Sequence, residues 1–209
     1  MKSLFLFLCC LFSTILFSQQ REEFKMVKSY YNQHRNMLNT EFKKKFDAET
    51  GNFQKASIKQ DFLLFMKKMD SIENVALIGA LLRVKNTEDL SRLQLENKKT
   101  FPEKLTEVFP ITDQSADYPG GMNALRQEVA HLFYIDGVFS DTKIVKANVA
   151  FIVEKDGSIS NVEAQGDNFT FNRQAQIALY SLSEKFSPAI INGDPVRYRF
   201  KLPLTMNFD

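Results

Sequence analysis

Residues 117–209 carry a series of local signals whose order leaves few folds open. Tyr118-Pro119-Gly120-Gly121 breaks the chain, and Met122, Leu125, Val129, Leu132 and Phe133 then recur at helical spacing. Ala147, Val149, Phe151 and Val153 alternate with Asn148, Ala150, Ile152 and Glu154, which is the period of a strand. This strand is polar on one face only at its ends, so it belongs in the middle of a sheet. Glu154-Lys155-Asp156-Gly157-Ser158 is a hairpin signal, and the return strand, residues 159–164, is shorter and more polar, as an edge strand should be. Asn172 can cap the next helix, whose inner face is Ala175, Ala178, Leu179, Leu182 and Phe186, with Pro188 ending it. Gly193-Asp194-Pro195 turns the chain into a last strand. There Val196, Tyr198, Phe200, Leu202 and Leu204 face one side, and Arg197, Arg199 and Lys201 face the other.

Two rules convert this order into a topology. A helix between the second and third strands is a crossover, so those two strands run the same way. The most apolar strand, the first, lies between them. The expected sheet is antiparallel with order 2-1-3 and both helices on one face. The last strand is then an edge, which Pro203 tolerates because an edge position needs no ladder donor.

The first half reads as helices. Phe24, Val27, Tyr31, His34, Leu38, Phe42 and Phe46 are spaced in threes and fours. Thr50-Gly51-Asn52 breaks the pattern, and a second stripe follows through Ile58, Phe62, Phe65, Met69, Ile72, Ala76 and Gly79, widened by Leu63, Leu64, Met66, Leu77, Ile78, Leu81 and Leu82, so that this helix is expected to be buried on much of its surface. The two make an antiparallel helical hairpin. Asn86-Thr87, followed by Glu88 and Asp89, is expected to cap a third, shorter helix, and Phe101-Pro102-Glu103 to start a fourth turn. His34 on its apolar stripe reads as a packed histidine, because a metal site needs clustered partners. The Lys43-Lys44-Lys45 run reads as a solvated helix end.

Lys2, an apolar run from Leu4 to Phe17 and small Ser18 form the pattern of a secretory signal peptide. The run is shorter than the roughly 18–20 residues a spanning helix needs. Cleavage near Ser18 and a periplasmic location are therefore expected. An uncleaved anchor in the inner membrane is the alternative. Both cysteines, Cys9 and Cys10, would leave with the signal, removing disulfides, thiolate chemistry and Cys metal sites from the mature chain. Lys and Arg number 27 against 25 Asp and Glu, and loss of Lys2 leaves 26 against 25. A balance so close to zero excludes the basic footprint of a nucleic-acid binder. The expected division is 1–18 signal peptide, 19–112 helical region and 113–209 a small domain able to fold alone.

No Ser-His-Asp order, zinc helix or phosphate loop is present, so no catalytic residue, metal site or cofactor is assigned and no enzyme is expected. Asn168-Phe169-Thr170 matches a glycosylation triplet and is read as a loop coincidence. The glycine pair at Gly120-Gly121 is read as a sharp turn rather than an anion cradle.

Five short pieces, in this order, carry a family resemblance. They are Tyr118-Pro119-Gly120-Gly121-Met122-Asn123-Ala124-Leu125, Asp156-Gly157-Ser158-Ile159, Phe186-Ser187-Pro188-Ala189, Gly193-Asp194-Pro195-Val196 and Leu202-Pro203-Leu204-Thr205. Residues 117–209 thereby resemble the C-terminal domain of TonB-like proteins, above all the Bacteroidetes-type energy transducers. The resemblance implies an α+β protein with a TonB-C-like domain behind the helical hairpin. It implies a last strand that pairs with an extended segment of an outer-membrane transporter. The strand residues concerned are Val196, Arg197, Tyr198, Arg199, Phe200, Lys201, Leu202 and Leu204. The chain departs from a working transducer in lacking a long Pro-rich linker and in carrying a cleavable N-terminal segment. An envelope protein, in the first instance a TonB-dependent transporter, is the expected partner. A structural protein that dimerises through its helical half is the alternative.

Overall fold

The computed structural model describes residues 15–98 and 113–208, with side chains from residue 22 and up to residue 94 in the first of these stretches. The expected turn at Phe101 and most of the apolar leader lie outside them. The protein is α+β, with a helical N-terminal region and a three-stranded antiparallel sheet of order 2-1-3.

Helix α1, Ile15–Ala48, and helix α2, Asn52–Lys98, form the expected hairpin about Gly51. The expected cleavage point at Ser18 falls inside α1. Arg35 holds the two helices together midway, donating to Asp70 at 2.6 Å and to Glu73. Phe42 packs on Phe62, with ring centroids 4.9 Å apart. The separate third helix is not formed: α2 runs through Asn86-Thr87 without a break. Inside a helix Thr87 is not a cap, and its Oγ1 donates back to the Arg83 carbonyl at 3.0 Å. Glu88 and Asp89 are therefore interior residues of one helix of 47 residues, roughly 70 Å long. No described helix is long and apolar enough to cross a membrane.

Helix α3, Gly121–Leu132, opens on Gly120 at φ 79 and Gly121 at φ 76, the left-handed conformation that glycine adopts without strain. A short 3-10 turn, Ile135–Gly137, leads to strand β1, Ile144–Val153. The odd-numbered residues Val145, Ala147, Val149, Phe151 and Val153 are all buried, as the alternation required. The hairpin closes with Glu154 N–H donating to the Ser158 carbonyl at 2.8 Å and returns as strand β2, Ile159–Gln165.

Helix α4, Phe169–Tyr180, corrects two expectations. Its cap is Asn168, whose Oδ1 accepts from Phe171 N–H at 2.8 Å, not Asn172, which instead donates from Nδ2 to the Gly166 carbonyl. The glycosylation-like triplet is this cap: Thr170 Oγ1 donates to Asn168 Oδ1, and Asn168 Nδ2 donates to the Phe139 carbonyl. The helix also ends at Tyr180, six residues before Phe186. Leu182 and Phe186 stay buried from an irregular segment, so their apolar spacing came from packing and not from helical winding.

The last strand is likewise split. Strand β3, Ala189–Ile191, and strand β4, Asp194–Val196, form a tiny hairpin about Gly193. Strand β5, Tyr198–Asn207, then pairs with β1 along its whole length. Val196 belongs to the tiny hairpin and Arg197 to the break, so the expected strand over 196–204 starts two residues late and runs three residues further.

One hydrophobic cluster joins both halves of the chain. Phe24, Leu77, Ala80, Leu81 and Val84 from the helical hairpin share it with Val149, Phe151, Val162, Ala178 and Leu202. The Phe24 ring stacks on Tyr180 at 5.3 Å.

Candidate functional site

The sheet has two outer edges, and they differ. The edge formed by β2 is interrupted by a bulge: Ala150 pairs with Glu163 and Ile152 with Ser160, so Asn161 and Val162 together oppose Phe151. Asn161 sits at φ 50, as bulge geometry demands. The extra residue leaves backbone groups outside the ladder, and side chains supply their partners. Asn161 N–H donates to Glu88 Oε1 at 2.9 Å, Val162 N–H donates to the Tyr180 hydroxyl at 3.1 Å, and Lys85 Nζ donates to the Val162 carbonyl. Tyr180 donates its own proton to Glu88 Oε1 at 2.6 Å. Helix α2 therefore covers this edge at its middle. Beside the contact lies a polar cleft of about 400 Å³, lined in part by Lys85, Glu88, Arg92, Asn161 and Glu163.

Burial, and then the Glu88 carboxylate, push the Tyr180 hydroxyl well above the ordinary phenol range. Tyr118 is raised in the same way by burial and by its bond to Glu128. A group with a raised folded-state value keeps a proton that the unfolded chain loses above about pH 10. Its stabilisation is complete below that pH and fades as pH rises beyond it. Urea midpoints should fall from about pH 10 upward. Tyr180→Phe should flatten part of that fall, and leave the 295 nm absorbance of the folded protein unchanged up to about pH 11. A native Tyr180 that ionises with the exposed tyrosines would contradict this.

The edge formed by β5 is different. Among the described residues no strand pairs with its outer side. Phe208 N–H donates to the Lys143 carbonyl at 2.7 Å, and the register between β1 and β5 is unbroken from Ile144↔Asn207 to Val153↔Tyr198. In an antiparallel pair alternate residues turn both backbone groups to the same neighbour. The even-numbered residues of β5 therefore turn to β1. Arg199, Lys201, Pro203, Thr205 and Asn207 turn outward. Four of these offer an N–H, and Pro203 in the middle offers only a carbonyl.

The side chains divide in the same way. Leu202 is fully buried, while Tyr198, Phe200, Leu204 and Met206 are half-buried against the core. Phe200 stacks on Phe151 at 5.1 Å and meets Phe186 edge-on at 5.4 Å. Arg199 and Lys201 are exposed on the other face. The structure thus brings Tyr198, Arg199, Phe200, Lys201, Leu202 and Leu204 together on one edge. Val196 lies aside in β4. Arg197 is committed, donating to Glu154 Oε1 at 2.8 Å, and that carboxylate also accepts from Ser160 Oγ at 2.6 Å.

Phe186 links three of the sequence pieces. Its ring meets Tyr118 at 4.9 Å, its N–H donates to the Gly157 carbonyl at 2.9 Å, and the next residue, Ser187, exchanges backbone bonds with Asp117 at 2.8 and 3.1 Å. Those pieces form the frame behind the β5 edge. The contact among Lys85, Glu88, Asn161 and Tyr180 was not anticipated. Local periodicity carries no trace of a partner some 70–90 positions away.

Among the described residues no three His, Cys, Asp or Glu gather as metal ligands. Comparison with known proteins found no matching family model, no matching curated protein and no matching solved structure. The molecule is an α+β protein in which, among the described residues, one sheet edge is covered by a helix and the other has no strand paired to it.

Proposed function

We propose that the protein is an exported binding module of the periplasm whose β5 edge accepts an extended segment of an envelope protein by strand addition. The observation that carries this is the contrast between the edges: α2 covers the bulged β2 edge, and no described strand pairs with the outer side of β5. An unpaired row of donors and acceptors is a template for an added strand. The resemblance of residues 117–209 to TonB C-terminal domains points to an outer-membrane transporter as the partner and to a part in TonB-dependent transport. Main-chain bonds would supply the affinity. The exposed Arg199 and Lys201 would favour acidic residues in the segment. Arg197 lies outside β5, in the break after β4, and donates to Glu154.

Pro203 sharpens the proposal. It divides the outward donors into Arg199 with Lys201, and Thr205 with Asn207, so a bound strand would bond continuously on only one side of it. Lys201→Pro removes one outward donor and no bond to β1. It is expected to weaken binding of a transporter-derived peptide about tenfold while the fold persists. The test is an NMR titration of wild type and variant with such peptides. Shifts centred on β5 and lost in the variant support the assignment. Saturable binding that leaves β5 unperturbed would rule it out.

A further inference from the structure

Helix α2 turns one face to α1 and to the sheet, and no described element packs on the opposite face. On that face Leu64, Ile72, Val75, Leu82, Leu90 and Leu93 are exposed, Val75 by 66 % and Leu82 by 55 %. At 100° per residue they fall in one stripe with Lys68, Gly79 and Asn86. The stripe is roughly 45 Å long, its apolar residues interrupted by Lys68, Gly79 and Asn86.

The stripe is palindromic at some of its positions, although Ile72 and Leu90 would face Lys85 and Lys67. An antiparallel copy of α2, with the two-fold axis between Ile78 and Gly79, sets Val75 against Leu82 of the second copy and Leu64 against Leu93. Lys68 meets Asp89, and each of these pairs occurs twice. Gly79 lies beside the axis, where the absence of a side chain lets two helices approach closely; a Cβ there would meet only the end of Arg83, at 3.6 Å. A parallel arrangement would instead set Lys68 against Lys68 and Asp89 against Asp89. Self-complementarity about a two-fold axis is the property of a symmetric dimer surface. We propose that α2 binds α2 of a second copy in this antiparallel register, giving a two-fold dimer whose two β5 edges stay outside the contact.

Sedimentation velocity of the full-length chain tests it. Val75→Asp with Leu82→Asp should weaken dimerisation at least about tenfold, and the exposure of both positions leaves the fold intact by circular dichroism. Lys68→Glu alone should weaken it about fivefold, and Lys68→Glu combined with Asp89→Lys should restore it to within about twofold. Gly79→Cys, with Cys9 and Cys10 replaced by serine, should form a disulfide between copies. A chain that stays monomeric at about 100 µM, a dimer indifferent to Val75→Asp with Leu82→Asp, or a charge swap that fails to rescue would overturn the proposal. A monomer that sediments with anionic vesicles through the same stripe would also overturn it, in favour of a lipid surface.

Discussion

Gly157→Val is expected to destabilise the fold severely. Gly157 lies at φ 79, where a residue with a Cβ is strained by about 1–2 kcal/mol. The larger cost is steric. A Cβ there would sit 2.0 Å from the Phe186 carbonyl oxygen, a backbone atom that cannot rotate away. Moving it would break the bond from Phe186 N–H to the Gly157 carbonyl and lift Phe186 from Tyr118, Phe151 and Phe200. The combined loss should exceed about 3 kcal/mol, a large share of a typical domain's stability. Chemical denaturation of wild type and variant measures it. Gly157→Ala should show the same defect in milder form, and a variant as stable as wild type would refute the tight turn.

Phe24→Ala is expected to cost about 3–5 kcal/mol, the range for deleting a buried aromatic ring. The ring is fully buried and lies flat on Tyr180, so its loss opens a cavity at the joint between the helical hairpin and the sheet. The consequence should extend beyond stability. Tyr180 orients Glu88, and Glu88 together with Lys85 supplies partners to the bulge. Hydrogen exchange at the amides of Asn161 and Val162 should therefore quicken in Phe24→Ala, although neither residue touches Phe24 in sequence. Unchanged exchange at those amides would mean that the latch is independent of the aromatic stack. A fragment of residues 113–209 offers a second reading, because it lacks the same cover over Tyr180 and should be less stable than the full chain.

The sheet was legible because its signals are local and repeated. Alternation in β1, the Asp156-Gly157 turn and the outward-facing Pro203 each fix a strand or its position, and together they required order 2-1-3. Errors arose where one local pattern was compatible with two structures. Asn86-Thr87 has the chemistry of a helix cap, but α2 runs on through it, with Val84 buried before it and Glu88, bonded to the β2 bulge, buried after it. Asn168 and Asn172 are equally good caps by type, and the contact with Phe139 selects the first. Leu182 and Phe186 have helical spacing, yet their burial is satisfied by an irregular segment threading under the sheet. The candidate edge was half legible: the alternation placed its residues, but only the tertiary structure placed Val196 in another hairpin and tied Arg197 to Glu154.

The bulge in β2 sets the valence of the sheet. A stack of strands grows without limit only when every unit presents two free edges, one to receive and one to offer. Here one edge is stoppered by a lysine and a glutamate from α2, so each molecule could receive a single strand and pass nothing on. The long helix thus removes one of the two edges that a growing stack of strands needs.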